Sequence, residues 1–203
     1  SKIIAVVGPT ASGKSDYAVA IAKQINGEII SADSRQVYRG MDIGTGKITK
    51  KEMKGIPHHL LNVASPKQRF TVVRYQELAN HAIRNILKRG KIPILCGGTG
   101  LYVDAVLEGW EFPKTPINLM LREKLEKKTR EELFDELKKH DPGFAETIDS
   151  HNTRRLIRAL EIIYTTKEPI QPLKKHSLPY DIEYIGLFPG WDILRQKIHN
   201  RLE

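Results

Sequence analysis

Gly8-Pro-Thr-Ala-Ser-Gly-Lys-Ser15 follows the apolar run Ile3-Ile-Ala-Val-Val7 and opens the helix-compatible segment Asp16-Tyr-Ala-Val-Ala-Ile-Ala-Lys23. Read as G-x-x-x-x-G-K-[ST], it is a phosphate cradle in the strand-before, helix-after setting that such a loop needs. The glycines let backbone N–H groups turn onto phosphate oxygens, Lys14 adds a point charge, and Ser15 can ligate Mg²⁺. Gly8, Thr10, Ala11, Ser12, Gly13, Lys14 and Ser15 are thus the expected di- or triphosphate-binding residues, with Ser15 the metal ligand. Such a loop points by default to ATP and phosphoryl transfer. What is done with the phosphate must be read from other residues.

Three βα-like units precede residue 112. Strand 2–7 leads to the phosphate loop, strand 28–32 leads to Asp33-Ser-Arg-Gln-Val-Tyr-Arg39, and an amphipathic helix over about 71–89, capped by Thr71, feeds the strand Ile92–Cys96. Strands alternating with helices of this length predict an α/β fold, a P-loop NTPase-like parallel sheet with helices on both faces. Functional loops then fall at the carboxyl ends of the strands. Near Pro113 and Pro116 the texture changes to a charged amphipathic helix at 119–139 and a second at 153–166, before a proline-marked loop and a strand at 182–188. The expected organisation is an α/β core of residues 1–112 and 182–203, interrupted by a helical insertion at 113–181. A final helix starts at Trp191. Trp110 and Trp191 are read as core or hinge anchors rather than base-stacking platforms.

At 203 residues there is room for one substantial core and a small second domain. No apolar run reaches the ~18 residues of a membrane span, and the first residues form a strand rather than a signal peptide, so a cytosolic enzyme is expected. One cysteine, Cys96, excludes an internal disulfide, and the scattered histidines make no zinc pattern. The net charge is +9, and residues 1–112 hold 16 Lys and Arg against 9 Asp and Glu. That excess suits a polyanion such as nucleic acid, or merely solubilises.

A P-loop kinase normally carries a carboxylate at the end of a second apolar strand. Here that strand runs into Cys96-Gly-Gly-Thr-Gly, without an acid. Asp33, after the second strand, is the nearest carboxylate; it is either a general base or magnesium outer shell, or a cap on the following turn. Thr99, flanked by glycines, either donates to phosphate or sits in an ordinary β-to-α turn. Arg154, Arg155 and Arg158 crowd the first turns of a helix, where the macrodipole already disfavours positive charge. They either await an external anion, or pair with Glu161 and Asp149. His58 and His59 lack a third ligand nearby, which leaves turn packing or substrate contact.

Taken in order, Gly8–Ser15, Asp33–Lys47, Pro57-His-His-Leu60, Gly97-Gly-Thr-Gly-Leu-Tyr102, Asn152–Glu161 and Leu194–Arg201 resemble the tRNA dimethylallyltransferase (tRNA isopentenyltransferase) family, in its bacterial branch. The resemblance covers essentially the whole chain. It implies transfer of a dimethylallyl group from its diphosphate to the exocyclic N6 amine of the adenosine 3′-adjacent to the tRNA anticodon, releasing diphosphate. It further implies that the loop and Mg²⁺ hold the diphosphate, that Asp33 accepts a proton from the attacking amine, and that Thr99 and Arg201 assist the leaving group. Ser34, Arg35 and Gln36, with Asp33 and Thr99, would line the pocket of a flipped-out adenosine. Arg122, Arg154, Arg155 and Arg158, with Leu156 and Ile157 between them, would bind tRNA from the insertion. A monomer is expected, acting on the anticodon stem-loop. Family members run further, with a C-terminal helical part that helps enclose the anticodon arm, so the resemblance implies a truncated chain or an unusually short member. The rival readings are a P-loop small-molecule or nucleotide kinase, transfer to free adenine nucleotide, and a nucleotide switch, for which no N-K-x-D motif is present.

Overall fold

Alternation along the apolar strands decides the layering. In β1 (Lys2–Val7), Ile3 and Ala5 join one buried cluster while Ile4 and Val6 join another. β2 (Gly27–Ser31) repeats the split with Ile30 against Ile29, and β4 (Ile92–Gly97) with Leu95 against Ile94 and Cys96. A period of two sends successive side chains to opposite faces, so a strand apolar at every position must be covered on both sides. α1 (Lys14–Gln24) covers one face through Ala18, Val19 and Ala22. α3 (Val72–Lys88) and α4 (Gly100–Leu107) cover the other through Tyr75, Ile83, Ile86, Tyr102 and Val106. Each fully buried Ile or Leu contributes roughly 1.5–3 kcal/mol.

The computed structural model describes residues 1–113 and 115–202, with only the backbone described at Arg201 and Leu202. The expected diphosphate contact of Arg201 therefore lies outside the described side chains. Among the described residues the main sheet has five strands in the order β3-β2-β4-β1-β7, every neighbouring pair parallel. The edge strand β3 is only His58–His59, and β7 (Asp181–Gly186) lies beyond β1. The α/β fold expected from the sequence is the one observed, with β7 starting one residue earlier than its apolar pattern suggests.

The chain divides into two compact units, one of Ser1–Trp110 together with the segment from Lys175 onward, the other of Glu111–Lys174. The crossings carry the two-residue strands β5 (Trp110–Glu111) and β6 (Lys174–Lys175). The first unit also holds α2 (Lys50–Met53) and α9 (Trp191–Leu202). The second is helical: α5 (Leu119–Leu125), α6 (Arg130–His140), α7 (Pro142–Thr147) and α8 (Thr153–Thr166) close around Leu125, Leu133, Leu137, Leu156 and Leu160. The single helix expected over 119–139 is two. Thr129 adopts an extended backbone and forms a capping box with Glu132, which starts α6 afresh. Trp191 is not a core anchor: it is 67% exposed, edge-on to Phe188.

Glu28 is fully buried in β2, where it ties three elements together. Arg89 grips both its oxygens at 2.5 and 2.7 Å, and Lys91 and His59 each reach it at 2.8 Å. The Arg89 bond, with those of Lys91 and His59, outweighs burial and holds the Glu28 carboxyl well below the usual carboxylate range. This gives His59 a packing role at the sheet edge. Among the described residues no group of three or more His, Cys, Asp or Glu side chains is placed to hold a metal. No helix among them is long and apolar enough to cross a membrane.

Candidate functional site

The phosphate loop begins where β1 ends. A side chain at Gly8 would collide with the Leu187 carbonyl and the Ser12 hydroxyl, so the close approach requires glycine. Ala11 (φ 63°) and Gly13 (φ 86°) are both left-handed, and Gly13 is the residue from which α1 starts. Ala11 adopts that conformation against its ordinary preference, the kind of strain that clusters at ligand clamps. Lys14 Nζ donates to the Pro9 carbonyl at 2.9 Å. Ser12 Oγ is buried and has no hydrogen-bond partner among the described residues. A buried hydroxyl left unpaired costs free energy, and at a helix N-terminus an anion oxygen is the natural partner.

Across the loop stand the tips of β2 and β4. Any side chain at Gly97 would strike the Ala32 carbonyl, and this closeness lets Thr99 N–H donate to Ala32 O at 3.1 Å. Ser34 N–H in turn donates to Thr99 Oγ1 at 3.0 Å. Thr99 therefore acts within a β-to-α turn that locks the two tips together. Asp33 Oδ1 accepts from Arg35 N–H at 2.8 Å and Gln36 N–H at 3.2 Å, which makes it a turn cap. Its other oxygen is uncommitted among the described residues, so one carboxylate can both hold the turn and face a ligand.

These elements surround a cleft of about 420 Å³, a size typical of small-ligand sites. It brings together the expected Thr10, Ala11, Gly13, Lys14, Ser15, Asp33 and Gln36. Gly8 and Ser12 shape the loop behind it. Ser34, Arg35 and Thr99 do not line it; the first and last brace it, and Arg35 is exposed. His58, left between turn packing and substrate contact by its sequence, also lines it, as do Thr45, Gly46, Glu52, Leu61 and Lys197, none of which was singled out for a role. Their one signal was the glycine pair in Gly44-Thr-Gly46, while Lys197 reaches the cleft from α9, remote in sequence. His58 Nδ1 lies 2.8 Å from the Ile56 carbonyl, and burial lowers its pKa, which favours a neutral imidazole. Burial pushes the Cys96 thiol up to about 12, so it is an inert part of the wall.

In the helical unit, the arginine cluster divides. Glu161, fully buried, receives Arg122 through two bonds at 2.8 and 2.6 Å and Arg158 at 2.5 Å. Arg122 and Arg158 therefore pair internally, as the intrachain alternative for Arg158 has it. Arg154 and Arg155 are exposed, and neither side chain has an ion pair among the described residues. The placement of Leu156 and Ile157 as RNA contacts is corrected: they are 0% and 7% exposed and belong to the core of this unit. Every third or fourth position of α8 is drawn inward, which the arginines flanking them obscured.

Residues 36–203 match the family model described as IPP transferase. The tRNA dimethylallyltransferase of Anoxybacillus flavithermus is 45% identical over the whole of this chain, which spans 66% of that protein. A crystal structure of full-length tRNA isopentenylpyrophosphate transferase from Bacillus halodurans matches 99% of this chain at 44% identity and a TM-score of 0.67, over 64% of its own length. A eukaryotic dimethylallyltransferase acting on tRNA gives a TM-score of 0.83 at 30% identity, over 99% of this chain and 52% of its own.

Proposed function

Because this chain belongs to the IPP transferase family, we propose that it transfers a dimethylallyl group from dimethylallyl diphosphate to the N6 amine of the adenosine 3′-adjacent to the tRNA anticodon. The observation that carries the reading is the pairing, across one cleft, of a phosphate loop with the half-committed carboxylate of Asp33, while β4 ends on glycine rather than an acid. Phosphoryl transfer lacks its usual magnesium-binding acid at that tip. Transfer of the carbon chain does not need it.

The amides of Ala11 to Ser15 and the Lys14 ammonium bind the diphosphate at the start of α1, where the helix dipole favours anions. As the allylic C–O bond breaks, its electron pair departs with the diphosphate, and donors fixed in place stabilise the growing charge. The N6 lone pair forms the new C–N bond, and one N6 proton passes to Asp33. Thr99 holds Asp33 and the loop in register through Ser34, and Arg201 is assigned to the leaving group. Mg²⁺ suits this donor set, since it prefers one or two protein oxygens plus substrate phosphates; Ser15 would supply the protein oxygen, and the ion would add positive charge to the leaving diphosphate. Arg154 and Arg155 are the tRNA-binding cations of the helical unit. The activity is assigned to the cytoplasm and to a monomer engaging the anticodon stem-loop. The test is to offer the protein labelled dimethylallyl diphosphate with an unmodified stem-loop, and separately ATP, and to follow which is consumed. Phosphorylated product made at the expense of ATP would sink the reading.

A further inference from the structure

Lys47 has only 4% of its side chain exposed, yet no step of the transfer uses it. An ammonium has three donors. Each finds an acceptor at 2.6 Å: the Tyr38 carbonyl, Asp42 Oδ1 and Asn62 Oδ1. The three acceptors lie on separate stretches: the turn after Asp33, the turn at 41–46, and the segment following β3. One buried cation thus joins three walls of the cleft.

What it holds in place is specific. Leu60 (φ 64°) and Asn62 (φ 58°) are both left-handed. Asparagine tolerates that region and a bulky leucine does not, so the surroundings must enforce it. Asn62 is gripped twice, by Lys47 through its side chain and by its own N–H on the Gln36 carbonyl at 3.3 Å. On the other side, Lys47 N–H bonds Asp42 O at 3.0 Å and Gly46 N–H bonds Ile43 O at 2.9 Å, which closes the turn. Gln36 Nε2 then donates to the Gly46 carbonyl at 3.3 Å. With its nitrogen committed to a carbonyl, Gln36 presents Oε1 as an acceptor, and among the described residues that oxygen has no partner.

An exocyclic amine carries two N–H groups. In the transfer reading, on which this inference rests, Asp33 takes one proton and the other stays on the nitrogen of the product. We propose that Lys47 is a positioning residue which, through Asn62 and the Gly46 turn, fixes Gln36 Oε1 as the acceptor for that second N–H. The C–N bond forms, the C–O bond breaks, one proton moves to Asp33, and the retained N–H keeps its bond to Gln36 throughout. A 6-oxo purine would bring a carbonyl against two acceptors and be refused, so the same arrangement sets the choice of base.

The experiment measures single-turnover transfer and dimethylallyl diphosphate affinity with the full-length protein, for wild type, Lys47→Met, Gln36→Ala and the double variant. Each single change is expected to slow transfer by about 100-fold, as small misplacements of reacting groups do. Donor affinity stays unchanged, and the double variant is no slower than the slower single, because both act on one contact. Multiplying losses, a matching loss of donor affinity, or undiminished transfer by Lys47→Met would each overturn the proposal. Should Lys47→Met not fold, Asp42→Asn replaces it in the cycle: its carboxylate is 62% exposed, and a smaller loss that again fails to multiply with Gln36→Ala is expected. A wild-type protein that transfers nothing to RNA contradicts the transfer reading itself, and this proposal falls with it.

Discussion

Asp33 divides its two oxygens between a turn and a cleft, which makes the choice of substitution matter. Alanine removes the cap on Arg35 and Gln36 together with the base. Asparagine keeps an oxygen for both N–H groups and removes only the ability to take a proton. Asp33→Asn is therefore expected to lower the transfer rate about 10²- to 10⁴-fold while diphosphate affinity holds, read by single-turnover kinetics and a binding titration. Lost donor affinity instead would make Asp33 chiefly a magnesium ligand. The arginines separate in the same way. Arg154→Ala should weaken binding of an anticodon stem-loop and reduce the salt slope by about one unit. Arg158→Ala should leave that slope alone and lower stability, since it strips a partner from buried Glu161.

The elements show which features were legible from sequence and which were not. The phosphate loop, Thr71 as the cap of α3 and the start of α8 all came from spacing and motif, because short-range rules govern them; the carbon-chain chemistry was implied only by the family resemblance. The break between α5 and α6 was hidden: Leu121, Leu125, Leu133 and Leu137 keep a helical spacing across it, and the Thr129–Glu132 capping box is what interrupts the helix. β3 was also missed, since two histidines carry no strand pattern and are held by pairing with β2 and by Glu28. Seven of the nineteen residues lining the cleft, from Thr45 to Leu61 and Lys197, are brought there by tertiary contact that no local pattern announces. The convergence of β2 and β4 rests on Gly97. Gly97→Ala must push the Ala32 carbonyl away, at a cost of about 1–3 kcal/mol, and release Thr99 from Ser34. A lowered urea midpoint accompanied by slower transfer is the expected result; unchanged stability would mean the strand tips yield freely.

Across the molecule the two units carry different liabilities. Burial pushes the Glu161 carboxyl up, but the hydrogen bonds from Arg122, Arg158 and Asn118 N–H outweigh it and bring the group from 4.5 down to about 2. A depressed folded-state value stabilises above the unfolded one, so this contribution, on the order of 3 kcal/mol, is complete above about pH 4.5 and lost toward pH 2. Urea unfolding followed by helix signal should show that acid sensitivity, and Glu161→Gln should flatten it while lowering stability at neutral pH by about 3 kcal/mol, as breaking a buried pair does. In the α/β unit, a loop of the kind that usually serves phosphoryl transfer faces an acid-free β4 tip and a carboxylate that suits an amine. The central claim is that the phosphate leaves as diphosphate and the nucleotide is the acceptor. The most direct measurement incubates full-length protein with dimethylallyl diphosphate labelled in its carbon chain, ATP and an unmodified anticodon stem-loop. The account predicts label in the RNA, on the adenosine beside the anticodon, with ATP untouched; ATP consumed and an unlabelled RNA would contradict it.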